Sequence, residues 1–296
     1  MTTPNFLIIG VQKAGTTSIY NYLKQHPQIY MSPVKETNFL EQDWNQASSK
    51  TKAKNRYQID NWEKYCQLFQ GVKDEIAIGE ASPNYLFHYQ SSSERIAHYL
   101  PEAKMIAFLR NPIDRAYSDY LMHIRDELDQ QLTIAETVQQ RPRSFMLRKG
   151  LYYTQIKHFI DTFGKEKIKV YLYDDFCQKP LAIMQDFYRF LGVDDSFCPD
   201  MSCKVQTAQV PKSRWVNKLL RKQNPLRKSA ANLLGLFLPE KSRQNLRSSL
   251  INLNAGDKNK LALTEQDRKH LQEYYREDIL KLQDLLATDL SLWLAH

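Results

Sequence analysis

The sequence predicts an α/β protein: a three-layer fold with a central parallel sheet flanked by helices. Three observations carry this. Short runs rich in Ile, Val, Tyr and Phe recur along the chain, the mark of buried strands. Stretches with helically spaced apolar residues lie between them, and such alternation implies a parallel sheet covered on both faces. A glycine-bearing turn, GVQKAGTT at residues 10–17, joins the first strand to the first helix, at the carboxyl end of a strand, where such sheets bind ligands.

The elements follow in order. NFLII (5–9) reads as the first strand and TSIYNYLKQH (17–26) as the first helix, which His26-Pro27 closes because proline cannot extend it. QIYMS (28–32) is a second strand, and residues 41–62, dominated by Asn, Gln, Ser and Lys, read as a long surface loop. EIAIG (75–79), KMIAFL (104–109) and IKVYLY (168–173) are further strands. DRAYSDYLMHIRDEL (114–128), YYTQIKHFIDTF (152–163) and LAIMQDFYRFL (181–191) are helices, with Gly164 stopping the second of these. Residues 206–260 read as short helices without strands. The stretch 264–286 opens on a Thr264/Asp267 capping pattern. There Leu271, Tyr275, Ile279, Leu282 and Leu286 keep helical spacing and are expected to pack on the sheet. The expected organisation is one domain over 1–296: an α/β core at 5–200, a basic helical insertion or lid at 206–260 and a C-terminal helix at 264–294.

Composition bounds the class. Charged residues are 25% and the hydrophobic set 42%, as in soluble globular proteins. No run of eighteen apolar residues occurs, so no membrane-spanning helix is expected. MTTPNFLIIGVQKAG lacks the basic and apolar regions of a signal peptide, and a cytoplasmic location is expected. The four cysteines show no zinc spacing and read as free thiols of a reducing compartment. The net charge of +8 is concentrated: residues 206–250 hold ten Lys or Arg and a single acid, Glu240. This segment suits an acidic substrate, a phosphate-rich ligand or an anionic membrane surface, or is a set of solvated helix faces. Trp215, Leu219, Leu220, Leu236, Phe237 and Leu238 interleave with these charges, which allows peripheral membrane contact; the same residues also suit a core-facing role. No nucleic-acid-binding motif accompanies the charge, and no nucleic-acid partner is expected.

Three stretches carry chemistry. In the turn, backbone N–H groups at a helix start attract anions; Thr16, Thr17 and Ser18 add hydroxyls and Lys13 a positive charge. The nucleoside-triphosphatase loop, G-x-x-x-x-G-K-[ST], has a lysine where Thr16 stands, and the one acidic strand end near it lies in EIAIGEAS. The chemistry suggests an anion held without a metal. In SPVKETNFL, Glu36 follows a strand beside Lys35; it is a candidate general base or a surface acid. In FLRNPIDRAYSDY, Arg110 ends a strand, and Arg110 and Ser118 are placed to hold one phosphate. A buried Arg110 pairing with Asp114 or Asp119 is the other reading.

Taken together, these stretches resemble the sulfotransferases that use 3′-phosphoadenosine 5′-phosphosulfate (PAPS), in particular the heparan-sulfate branch and its bacterial relatives. IIGVQKAGTT is similar to the family's 5′-phosphosulfate loop, VKETNFL to its K-E-x-x-F-F stretch and LRNPIDRAYSDY to its R-N-P-x-x-R-x-x-S-x-Y stretch. GEASPNYL resembles its E-K-[ST]-P-x-Y segment and RKGLYYTQIKHFIDTF its G-x-Y-x-x-x-L helix entry, so the likeness runs from about residue 5 to 200. The resemblance implies a P-loop-like fold and in-line transfer of a sulfuryl group to a hydroxyl or amine of a glycan or small natural product, with no metal required. It implies Glu36 as the general base and Lys13 as a catalytic contact to the leaving phosphosulfate. Ala14, Gly15, Thr16, Thr17 and Ser18 would surround the 5′-phosphate, and Arg110 and Ser118 would hold the 3′-phosphate. The sequence departs from the family at Ala81, where the family has a lysine. The family's cofactor-covering K-G-R loop has its best counterpart in CKVQTAQVPKSRW, through Lys212 or Arg214. A P-loop kinase or NTPase is the competing class, which magnesium dependence distinguishes.

Overall fold

A computed structural model describes residues 2–44, 46–48, 57–126, 132–202 and 263–295. The chain divides into two compact units: Met1–Ala116, Pro142–Val205 and Leu271–His296 form one, Tyr117–Arg141 and Gln206–His270 the other. The basic stretch 206–250, Lys212 and Arg214 included, and Cys203 lie outside the described residues.

The first unit is built on five parallel strands: β1 (Phe6–Gly10), β2 (Ile29–Met31), β3 (Ala77–Ala81), β4 (Lys104–Leu109) and β5 (Ile168–Leu172). Their order is β2-β3-β1-β4-β5, and every pair is parallel. Every β1 residue from Phe6 to Ile9 is fully buried, as are Met105 to Leu109 of β4. A strand covered on both faces reads as an unbroken apolar run rather than an alternating one, which is why NFLII and KMIAFL are so plain in the sequence.

Helix α1 (Thr16–Leu23) follows β1, α2 (Trp62–Gln67) and α3 (Tyr89–Tyr99) flank β3 in the chain, and α4 (Pro112–Asp126) follows β4. Pro112 opens α4 as a preset first residue, and Asn111 Oδ1 accepts the Ile113 N–H at 3.0 Å. After β4 come α5 (Ile134–Gln140), α6 (Phe145–Arg148) and α7 (Tyr152–Phe163), then α8 (Tyr173–Gln178) and α9 (Pro180–Leu191) after β5. Gly164 ends α7 at φ 88°, as the sequence expects. The last long helix is α10 (Glu265–Leu286), whose Leu271, Tyr275, Ile279 and Leu282 are buried. Its Tyr275 hydroxyl donates to Leu147 O at 2.8 Å, and Asp278 accepts the Tyr152 and Tyr153 N–H groups at 2.7 and 3.2 Å. Asp278 thereby caps α7 across space, because helix-start amides lack partners of their own.

In the second unit, α5 starts on a capping box between Thr133 and Glu136. Thr264 caps α10 by accepting the Asp267 N–H at 3.0 Å, and Asp267 accepts the Ala135 N–H at 3.0 Å. No described helix is long and apolar enough to cross a membrane.

Candidate active site

The carboxyl ends of β1, β3 and β4 lie side by side, with β1 in the middle. The segment after β1 turns sharply into α1. Lys13 and Gly15 both take left-handed backbone, at φ 75° and 74°. A Cβ on Gly15 would stand 2.9 Å from the Tyr173 ring, and one on Gly10 would stand 2.7 Å from the Leu86 side chain, so close approach dictates both glycines, and at Gly15 the left-handed backbone does so as well. Gly15 is the N-cap of α1 and gives the helix no side-chain cap, and no acidic residue occupies the first turn. The first amides of α1 therefore keep their demand for an acceptor, and the positive end of the helix dipole reinforces it. This bare N-terminus fits a phosphate-like anion.

The predicted loop residues divide by exposure. Ala14 is fully buried and Thr16 nearly so, while Thr17 is exposed and Lys13, Gly15 and Ser18 are intermediate. Ala14 is closed off: its N–H donates to Val11 O at 3.3 Å. Arg110, at the end of β4, donates from Nη1 to Lys13 O at 3.0 Å and lies 5.1 Å over the Tyr173 ring. Tyr152 Oη fixes the Arg110 carbonyl at 2.9 Å. Arg110 is therefore joined to the loop and partly open. The buried arginine of this stretch is Arg115, at 0% exposure, which donates to Met146 O. Ser118 is half-buried in the second turn of α4, within the second unit.

Glu36 lies on the other side of β1. Its N–H donates to Ala81 O at the end of β3, 2.9 Å away. Its Oε1 accepts from Lys35 Nζ at 2.5 Å, and the carboxylate side chain is 42% exposed. The backbone is left-handed at Glu36 and again at Asn38, φ 63° and 51°. Ala81, where the family lysine is missing, is fully buried. His88 pairs with Glu41 at 2.9 Å rather than with Glu36.

Two features escaped the sequence reading. Lys149 Nζ donates to Gln12 Oε1 at 2.6 Å, so a residue just before α7 reaches the loop after β1. Glu80, the acid in EIAIGEAS, is fully buried and enclosed by hydroxyls: Thr37 at 2.9 Å, Tyr65 at 2.9 Å, Tyr85 at 3.0 Å and a close Ser82. Burial pushes its carboxyl above the usual range, against the pull of those four donors. Burial, aided by the neighbouring Glu80, also raises the Tyr65 and Tyr85 phenols well above normal, so they remain donors. The oxygens of Glu80 are taken up by hydroxyls instead of facing an open metal position. Among the described residues no group of three or more His, Cys, Asp or Glu is placed to hold a metal ion.

The sequence profile described as "Sulfotransferase family" matches residues 4–196, which contain every part of this arrangement except the C-terminal helix. The chain belongs to the sulfotransferase family. It is 30% identical over 205 residues to the bifunctional heparan sulfate N-deacetylase/N-sulfotransferase 3 of Homo sapiens, a match covering 64% of this chain and 22% of that one. It is 25% identical over 248 residues to carbohydrate sulfotransferase 15 of Mus musculus, covering 64% and 44%. The sulfotransferase thus spans less than half the length of these curated relatives. Its fold matches the crystal structure of a sulfotransferase from Alicyclobacillus acidocaldarius, with a TM-score of 0.70, 29% identity and 99% of each chain covered. Both findings agree with the parallel three-layer architecture and with the resemblance drawn from GVQKAGTT, VKETNFL and LRNPIDRAYSDY.

Proposed function

We propose that this sulfotransferase moves a sulfuryl group from PAPS to a hydroxyl or amine of an acceptor, with Glu36 as the general base. The acceptor is a glycan or a small natural product; the named relatives favour a glycan. The observation that carries the reading is the Arg110–Lys13 hydrogen bond. It couples the anion-accepting loop to a bidentate cation on the neighbouring strand, which suits a ligand with phosphates at two separate positions. Glu36, tethered to the strand on the opposite side of β1, is the carboxylate available for a proton.

The donor supplies the sulfuryl group and leaves as adenosine 3′,5′-bisphosphate. The chain's own residues supply the rest. Amides at the start of α1 and the Lys13 ammonium stabilise charge building on the leaving phosphate. The family resemblance assigns the 3′-phosphate to Arg110 and Ser118 and the covering of the cofactor to Lys212. Glu36 accepts the proton as the acceptor oxygen or nitrogen bonds to sulfur and the sulfur–phosphate oxygen bond breaks. Holding both reactants in line removes the entropic cost of bringing them together.

The test is calorimetric titration with adenosine 3′,5′-bisphosphate in EDTA, beside ATP with Mg²⁺. Metal-free binding of the bisphosphate, weakened at least about tenfold in Arg110→Ala as expected for loss of a charge-assisted pair, supports the reading. Preference for ATP with Mg²⁺ overturns it in favour of the kinase class.

A further inference from the structure

The buried Glu80 cage contains a relay that the chemistry above does not use. Three of its four hydroxyls face two ways. Thr37 Oγ1 donates to Glu80 and accepts the Phe39 N–H at 3.3 Å. Ser82 Oγ donates to Glu80 and accepts the Asn38 N–H at 3.0 Å. Tyr85 Oη donates to Glu80 and accepts the Leu40 N–H at 3.2 Å. Each hydroxyl thus binds the carboxylate with its proton and a main-chain amide of residues 38–40 with its lone pair.

The direction of these bonds follows from the one acid. An ionised carboxylate accepts and never donates. An ionised Glu80 therefore claims the protons of all four hydroxyls, and Thr37, Ser82 and Tyr85 keep a lone pair for the backbone. An amide or a protonated acid in its place would donate, turn at least one hydroxyl around and release the N–H it holds. The fourth hydroxyl, from Tyr65 on α2, closes the remaining side of the carboxylate.

What the relay holds is the turn carrying Glu36. Glu36 and Asn38 bracket Thr37, and both take the left-handed backbone that L-residues rarely adopt. Such backbone persists only where the surroundings over-determine it. Here the surroundings are the Glu36 N–H bond to Ala81 O and the three relayed amides.

We infer that Glu80 is a positioning residue: through Thr37, Ser82 and Tyr85 it fixes the turn that presents Glu36, and so sets the rate of transfer while contributing nothing to donor affinity. This rests on Glu36 being the base. Ala81 O lies one residue from Glu80, so carboxylate and turn are registered on the same strand end.

The test avoids emptying the cage. Thr37→Val keeps the shape and loses the hydroxyl; Thr37→Ser keeps the hydroxyl; Glu80→Gln reverses the polarity of the hub. Turnover is read as release of adenosine 3′,5′-bisphosphate from PAPS, with N-desulfated heparan sulfate or water as acceptor probe. Affinity is read by titrating the bisphosphate, and the turn by amide hydrogen exchange at residues 36–40. Thr37→Val is expected to lower turnover about tenfold or more, the scale of a small misplacement of a catalytic group. Its bisphosphate affinity stays within about twofold and exchange rises at Asn38–Leu40, while Thr37→Ser stays near wild type. Glu80→Gln is expected to show the same split more strongly. Full turnover in Thr37→Val, beside an inactive Glu36→Gln, overturns the inference and leaves the base assignment standing. Parallel loss of turnover and bisphosphate affinity in Thr37→Val reduces Glu80 to a structural role and also overturns it. An active Glu36→Gln removes the base assignment and the inference together.

Discussion

Glu36, in the turn after β2, and Glu80, near the end of the neighbouring β3, are the same residue type with opposite surroundings. Glu36 is nearly half exposed and meets one lysine; Glu80 is fully enclosed and meets four hydroxyls. A carboxylate that is to take a proton from a substrate needs a free oxygen and access to it. One that is to organise a loop needs every lone pair engaged, because an unpaired buried charge is costly. In the roles proposed above, solvent access and donor count, rather than residue type, separate the acid that reacts from the one that organises. Glu36→Gln should have the largest effect. Turnover should fall by about 10²–10⁴-fold, the range for a lost general base, with bisphosphate affinity and melting temperature unchanged. A destabilised Glu36→Gln protein would place Glu36 in the organising class with Glu80.

Asp278 is an intermediate case and sharpens the contrast through pH. It is mostly buried, caps α7 with its two N–H acceptances and lies near the Glu277–Lys281 pair. Burial raises its carboxyl to about 6 from 3.8, outweighing the amide donors and Lys281. The folded state therefore holds this proton between pH 3.8 and about 6 when the unfolded chain has lost it. Stability from this group is fully present below pH 3.8 and declines as pH rises to about 6, by at most about 3 kcal/mol. Urea denaturation at intervals across that window should show the decline in wild type and its absence in Asp278→Asn, which keeps a capping oxygen. Identical pH profiles for the two proteins would exclude Asp278 as the source.

Glu80 should give a smaller stability effect than its enclosure suggests. In Glu80→Gln the amide keeps one acceptor oxygen and the volume, so the loss is that of one or two reversed hydrogen bonds, about 1–3 kcal/mol by urea denaturation. A loss well beyond that range would mean that the cage holds the whole β3 end rather than the Glu36 turn alone.

The strands were legible because a parallel sheet buries both faces, and NFLII, KMIAFL and IKVYLY coincide with β1, β4 and β5 to within about one residue at each end. The elements that escaped have little periodic signal. Helix α3, YQSSSERIAHY, has three serines, two of them buried with hydroxyls satisfied by local carbonyls or His158. Helix α2 begins at Trp62, inside a stretch that reads as polar loop, and its cap is Asn61. The site divides in the same manner. The loop at 10–18, Glu36 and Arg110 each carry a local motif. The Glu80 cage draws on residues 37, 65, 82 and 85, which no spacing rule connects. They meet because β2 lies beside β3 and the turn after β2 folds over the end of β3.

Lys35 gives the smallest effect and the finest division between the two carboxylates. Its ammonium lies 2.5 Å from Glu36 Oε1, in a pair of which the acid is 42% exposed. Water screens such a pair, so Lys35→Met should change stability by about 1 kcal/mol or less. If the lysine merely orients the carboxylate, turnover should fall by less than about tenfold, the value of a modest half-exposed ion pair, and Lys35→Arg should recover most of it. Ala81 makes the opposite outcome informative. Its methyl is buried, and its carbonyl holds the Glu36 N–H, so position 81 contributes no cation next to Glu36. A loss in Lys35→Met as large as that in Glu36→Gln, with unchanged bisphosphate affinity, would mean that Lys35 supplies the cation at the reacting centre from the strand-side turn. The reacting unit would then be the Lys35–Glu36 pair, with Glu80 fixing both members through one turn.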